Sequence, residues 1–359
     1  MKVSRSLGGL RLLKRILIIP ELSGKGPNAC GYIRLIYPLA NVQKKSRFSI
    51  IDLSTSLVEN KLDSDFDWSQ ISAISTQRTA PMQSRLAWDI LVMAKEKGIP
   101  IHWDVDDMPF QLEEKSHESS YLSVLARTAL EMRNFASIVT VSTSYIYDEI
   151  VPHFSQVEVY RNALVEGLWS PSTNENLKSI LFFGLEAHRP GLELISDQLY
   201  KRNFKKLKTM NFQIDAVGPL GGNHHPLIRV ISVPNSATTY PRFASWLSKR
   251  NKSSIGVVYH LSSSFNKGKS AIKALEYSSL GLATLSNLNQ SMSEDPISDY
   301  ISMVPNDVFI DEMLDLFQDK PSQEMKSRLA REYVHNNRLL SNDTSSMSTF
   351  YSKFLESLS

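Results

Sequence analysis

Apolar and polar positions alternate along this chain in two distinct rhythms. Ile16-Leu17-Ile18-Ile19 is an unbroken apolar run closed by Pro20, the pattern of a strand covered on both faces. Runs of the same kind occupy 48–53, 73–75, 99–104, 138–142 and 157–162, and then 179–184, 212–217, 255–259 and 282–286. Between them apolar residues recur at helical spacing, which predicts helices at 28–40, 83–97, 121–135 and 239–249. Strand followed by helix, repeated, is the signature of an α/β protein with mostly parallel sheets. The stretch 165–176, with Gly167, Pro171, Ser172 and Thr173, reads as a linker, and helices at 307–319, 322–337 and 346–357 close the chain.

Charge is most ordered in FNKGKSAIKALEYSSLG, residues 265–281. At helical spacing Ala271, Ile272, Leu275, Ser278, Ser279 and Leu282 share one side, and Lys269, Lys273 and Glu276 share the other. Gly281 ends the helix and a strand follows at once. The loop 260–268 therefore lies at the carboxyl end of one strand and the amino end of a helix, where open α/β sheets bind ligands and where free N–H groups beside a lysine suit a phosphate. From spacing alone, an amphipathic helix with a solvated charged face accounts for the pattern equally well. Two more strands end in glycine: the first enters the loop 21–28 with Gly24 and Gly26, and the run 212–217 ends at Gly218. Glycines there permit close backbone approach to a ligand, although Gly-x-Gly in this form is no dinucleotide fingerprint.

A chain of 359 residues with 42% hydrophobic content is long enough for two domains with cores of their own. Forty basic against 37 acidic residues leave +3, too slight to argue for nucleic acid. The single cysteine, Cys30, excludes an intrachain disulfide and agrees with a reducing compartment. The apolar stretch 10–20 is short and broken by Arg11, Lys14 and Arg15, so a cytoplasmic protein without membrane span or signal peptide is expected. The basic leader 1–15 suits the inner face of an anionic membrane as a peripheral contact; a frayed terminus is the preferred reading. Asp104, Asp106 and Asp107 crowd the end of one strand, where they suit either a divalent cation or a capping and ion-pairing role. His224 and His225 are adjacent and lack metal-ligand spacing.

The run FNKGKSAIKALEYSSLGLATLS resembles, nearly residue for residue, the nucleotide-sugar-binding segment FNxGKSxxKxLEYxxLGxPxxxS of bacterial GT-B-fold glycosyltransferases, in particular the retaining group 1 (family 4) enzymes; the likeness extends at lower strength over 16–357. The resemblance implies two Rossmann-like domains facing a cleft. An acceptor-side domain would span 1–165 and a nucleotide-sugar-binding domain 166–340, with 341–359 returning as a helix to the first. It implies a hexosyltransferase that moves a sugar from a nucleotide-sugar donor to the hydroxyl of a sugar, lipid-linked or glycoconjugate acceptor, with retention, in surface polysaccharide or glycoconjugate synthesis. Glu276 would bind the ribose hydroxyls. Asn266, Lys269 and Ser270 at the helix N-terminus would meet the donor diphosphate, as would His188 and Arg189 in the loop 185–191. Gly26 would line the cleft and Arg34 match an arginine often seen there, an arginine on an exposed helix face being the alternative, and Gly218 would belong to a donor-side wall. Asp106 takes the position where many relatives carry a histidine near the acceptor hydroxyl, so it is a candidate to accept that proton; a loop-capping role is the alternative. No metal or other cofactor is expected, because enzymes of this fold generally neutralise the leaving diphosphate with a helix dipole and basic side chains. Gly268 stands where many relatives carry a second glutamate. That departure leaves a catalytically inactive binding protein as an alternative, and a sugar-nucleotide epimerase of the same fold is another.

Overall fold

The computed structural model describes residues 14–24, 26–44, 48–110, 119–171, 179–202, 204–218 and 225–358. The first thirteen residues of the leader, the end of the linker from Ser172, the glycines after Pro219 and His224 lie outside them. The apolar runs form two parallel six-stranded sheets. The first comprises β1 (Lys14–Ile19), β2 (Phe48–Asp52), β3 (Ile71–Gln77), β4 (Ile101–Val105), β5 (Ile138–Val141) and β6 (Val157–Val159), in the order β2-β1-β3-β4-β5-β6. The second comprises β7 (Ser179–Phe183), β8 (Ile214–Val217), β9 (Ile228–Ile231), β10 (Ser253–Val258), β11 (Ala283–Asn287) and β12 (Ser302–Val304), in the order β9-β8-β7-β10-β11-β12. The α/β class with two mostly parallel sheets is as expected. Each order reverses once, between β1 and β3 and between β7 and β10, and each reversal opens a crevice at the strands' carboxyl ends.

Both faces of each sheet are covered, which is why the central strands read as continuous apolar runs. On one face of the first sheet Leu17, Ile19, Ile74 and Trp103 pack with Ile90 and Leu91 of the helix Arg85–Glu96 and with Met132. On the other, Ile16, Ile18 and Ala73 meet Leu35 and Leu39, and Phe350, Tyr351 and Phe354 of the last helix, Met347–Ser357. The end of the chain thus completes the core of the sheet at its beginning, and Lys14 Nζ donates to Leu355 O at 2.9 Å. The chain passes between the two sheets twice, and the two passages run side by side. Arg161 N–H donates to Ser345 O, Leu164 N–H to Arg338 O, and Leu340 N–H to Leu164 O. The buried Arg338 ties them together, donating to Asn162 O at 2.6 Å, to Asp295 at 2.5 Å and to Asp343 at 3.2 Å.

Local differences from the sequence reading have physical causes. The expected helix 83–97 is split at Ser84, whose extended backbone lets its Oγ cap the N–H of Ala87 at 3.0 Å. The helix expected at 28–40 is a π-helix over Gly31–Ile36 that continues as an α-helix over Tyr37–Gln43. It carries Arg34 fully buried, not on an exposed face. β9 and β12 escape the apolar-run criterion because they are the sheet's edge strands, with exposed or half-exposed positions. No helix among the described residues is long and apolar enough to cross a membrane.

Candidate functional site

The crevice of the second sheet is held open by a tyrosine. β7 and β10 pair only as far as Leu181 and Gly256. Beyond that Tyr277, from the helix Ile272–Ser279, inserts its hydroxyl between them, accepting from Phe183 N–H at 3.0 Å and donating to Val257 O at 3.1 Å. Gly256 makes this possible: a Cβ there would lie 2.3 Å from the Tyr277 ring. Gly218, at the end of β8 with φ +118°, lies against the backbone of Gly184, so the expected glycine at this strand end is required by close approach.

Around this split the side chains of the motif converge. Glu276 is 1% exposed and accepts from Tyr240 Oη at 2.8 Å and from Lys273 Nζ at 3.1 Å. Lys273 Nζ also lies 3.9 Å from the centre of the Phe183 ring. Glu276 is therefore buried, and Lys273 is half-buried and paired with it, which removes the alternative of a freely solvated charged face. His188 folds over Gly184 and its ring is 6.0 Å from that of His260, at the end of β10. Burial, with Lys273, His260 and Lys269 nearby, pushes the His188 pKa well below its ordinary value; burial, Lys269 and Lys273 push that of His260 down to about 3. Both rings are neutral at pH 7.

The first sheet presents an anionic edge. Arg78, immediately beyond β3, has φ +37°, a strained value for a side chain of this size. Its guanidinium faces three carboxylates: Glu21 beyond β1, Asp106 at 3.4 Å and Asp107 at 2.7 Å. Thr79 and Asn28 also donate to Glu21, and the Tyr121 hydroxyl donates to Asp107 at 3.1 Å. Although burial opposes it, Lys269 and Arg78 hold Asp107 well below the usual carboxylate range. Asp106 goes the other way. Burial raises its pKa, Arg78 opposes this, and Asp107 and Asp104 reinforce it. Its Oδ1 has no hydrogen-bond partner among the described residues, and the Cys30 thiol lies against its carboxylate. Asp104 is separate from this cluster, fully buried and bound by Arg34 Nη2 at 2.6 Å and by Nε at 3.1 Å.

The two edges meet. Lys269 Nζ reaches across to Asp107 Oδ1 at 2.6 Å and lies 4.1 Å from the Phe265 ring centre, while Phe265 packs into the first sheet's core. Asn162 Nδ2 donates to Ser270 Oγ at 2.8 Å, and Thr143 Oγ1 to Gly268 O at 3.4 Å. A Cβ at Gly268 would lie 3.2 Å from Ile146 of the helix Ser144–Ile150 and 3.6 Å from Met108, so residues that follow two strands of the first sheet pack against this glycine. Lys269 thus links Asp107, the neighbour of Asp106, to the end of the second sheet where Lys273, Glu276 and His188 lie, while Ser270 lines a separate small cavity with Asn162, Glu294 and Arg338. Asn266 serves the turn instead, donating through Nδ2 to Leu261 O at 3.1 Å, and Gly26 lies in a short antiparallel ladder with Ser23. Arg189 stands at the amino end of its helix, bound on that helix by Glu186 at 2.8 Å and Glu193 at 3.6 Å. Sequence reasoning missed Glu21, Arg78, Tyr240 and His260. All but Tyr240 sit just past the carboxyl end of a strand, and treating every strand end as a candidate would have found them.

No family model matches the sequence, and no curated protein sequence matches it. Solved structures do match over nearly the whole chain. HepE of Anabaena in complex with UDP-glucose superposes with a TM-score of 0.64 at 10% identity, over 96% of this chain and 99% of that one. Sucrose-phosphate synthase from Thermosynechococcus elongatus gives 0.62 at 10% identity, over 96% and 98%. WaaG, a glycosyltransferase involved in lipopolysaccharide biosynthesis, gives 0.61 at 9% identity, over 95% and 99%. At such identities the likeness is one of fold, and the fold is GT-B: two Rossmann-like units facing a central cleft.

Proposed function

We propose that this protein is a glycosyltransferase that moves a sugar from a nucleotide-sugar donor to an acceptor hydroxyl. The observation that carries the reading is the crevice between β7 and β10, where Lys269, Lys273 and the buried, hydrogen-bonded Glu276 converge in a fold shared with a protein solved with UDP-glucose. In this reading Glu276 accepts from the two ribose hydroxyls. Lys269 leaves Asp107 for the donor diphosphate and meets the charge that grows on the leaving group, with Arg189 joining it from the next loop. Asp106, whose carboxyl is raised and incompletely bonded, accepts the acceptor's proton or orients its hydroxyl. We assign the acceptor side to 1–165, the donor side to 166–340 and the returning segment to 341–359. We further read the enzyme as a retaining hexosyltransferase of the group 1 type, cytoplasmic, acting on a saccharide, lipid-linked or glycoconjugate acceptor in surface polysaccharide synthesis.

Leaving-group stabilisation is assigned to the protein. Asp104, Asp106 and Asp107 each face a guanidinium, and Asp107 the ammonium of Lys269 as well. Activity is therefore expected to survive a chelator; its abolition by EDTA and rescue by magnesium or manganese would make those aspartates ligands instead. A second reading, a donor-binding protein without transferase activity, is favoured by one observation, the glycine at 268 in place of the second glutamate of the resembled group. Incubation with a panel of nucleotide sugars decides between them. Release of nucleoside diphosphate on adding acceptor supports the transferase, alteration of the sugar alone an epimerase, and binding without turnover the inactive relative.

A further inference from the structure

His260, beyond the end of β10, is 6% exposed, and its Nε2 has no hydrogen-bond partner among the described residues. The backbone that carries the ring is held on both sides. His260 N–H donates to Asn287 Oδ1 at 2.8 Å, its carbonyl accepts from Asn287 Nδ2 at 2.6 Å, and Asn287 is in turn held by Asn306 at 2.8 Å. Buried polar atoms are nearly always paired, so one held rigidly without a partner at a sheet's topological reversal suits a ligand atom. The groups facing the ring are His188 from the loop after β7, Lys269 from the turn before the helix Ile272–Ser279, and Lys273 from that helix. Both carboxylates nearby are turned to the lysines, Asp107 to Lys269 and Glu276 to Lys273. The cationic groups beside the ring are these two ammonium groups, each already shared with one carboxylate.

We propose that His260 is a ligand for a phosphate oxygen of the bound nucleotide sugar and takes up a proton from solvent as that ligand binds. The inference rests on the nucleotide-sugar reading above. Burial and the two ammonium groups keep the ring neutral. A diphosphate diester between Lys269 and Lys273 cancels their field and offers an oxygen to the N–H at Nε2. No covalent bond changes, and the proton comes from the buffer.

The test is titration calorimetry of the whole protein with UDP-glucose, GDP-mannose, ADP-glucose and dTDP-glucose, whose diester phosphates do not titrate near neutrality. Each is measured in PIPES and in imidazole, at pH 7.5, 7 and 6.5. Binding of one of them with a buffer-dependent heat that reports proton uptake, and an affinity rising severalfold as pH falls, supports the proposal. His260→Gln is expected to bind that donor about tenfold more weakly, with the buffer and pH dependence gone. Binding by the native protein without proton uptake, or uptake undiminished in His260→Gln, overturns the role of His260 and leaves the donor site standing. Failure of every donor to bind overturns the nucleotide-sugar reading and this inference with it.

Discussion

Both carboxylate oxygens of Glu276 are engaged, one by Tyr240 and the other by Lys273, and under the proposed function ribose hydroxyls displace or join these partners. Glu276→Gln keeps the shape and the acceptor for Tyr240 but loses the charge. Donor affinity is expected to fall by about 1.5–3 kcal/mol, the usual loss for a hydrogen bond to a charged group, with the fold intact. Calorimetry against the same donor checks this, and equal affinity would detach Glu276 from the ribose. Asp106→Asn addresses the other edge. It cannot take a proton, so donor binding should persist while transfer is lost; a fully active variant would return Asp106 to a structural role. At this scale the sequence was legible wherever residues lay within one motif. Lys269 and Glu276 could be read from helical spacing and resemblance, whereas Arg78 and Tyr240 join the cluster from elements far away in the chain, a proximity only the fold creates.

At the scale of elements, the helix Ile272–Ser279 is joined to its sheet by Tyr277, and both strands depend on it. Tyr277→Phe leaves the Phe183 N–H and the Val257 carbonyl unpaired in a buried place, a cost of about 1–3 kcal/mol. Gly256→Ala sets a methyl into the ring and should destabilise by about 1–3 kcal/mol or more. Urea denaturation checks both, and wild-type midpoints would contradict the role given to this tyrosine. The strands of both sheets were mostly readable, because central parallel strands demand unbroken apolar runs. What resisted reading was the set of buried hydrogen bonds that run from strand to strand. The buried chain from Tyr351 through Ser75, His102 and Thr140 to Asp104 spans three strands and the last helix. It runs in one direction: Thr140 donates to Asp104, so His102 Nε2 must donate to Thr140, and its Nδ1 must accept from Ser75. No local pattern announces such a chain.

For the whole molecule, the histidines fix how it responds to acid. Burial, and in one case Arg34, depresses His102; burial and the two cleft lysines depress His260 to about 3. The unfolded chain binds protons at these sites from about pH 6.5 downward while the folded one does not. The stability associated with keeping them neutral is therefore fully present above about pH 6.5 and lost as pH falls below it. The slope is at most about 1.4 kcal/mol per pH unit for each histidine. Below about pH 4 the depressed Asp107 adds to the loss in the same direction. Urea midpoints at pH 8, 7, 6 and 5 should be flat and then fall; a constant midpoint down to pH 5 would contradict the buried neutral rings. The last helix has a consequence of another kind. Phe350, Tyr351 and Phe354 close one face of the sheet that is synthesised first. A ribosome adding about 5–20 residues per second completes β6 on the order of ten seconds or more before those rings emerge. Through that interval Ile16, Ile18 and Ala73 of the nascent first half have Leu35 and Leu39 against them but not the aromatic rings. The half that is translated first is the one that finishes folding last.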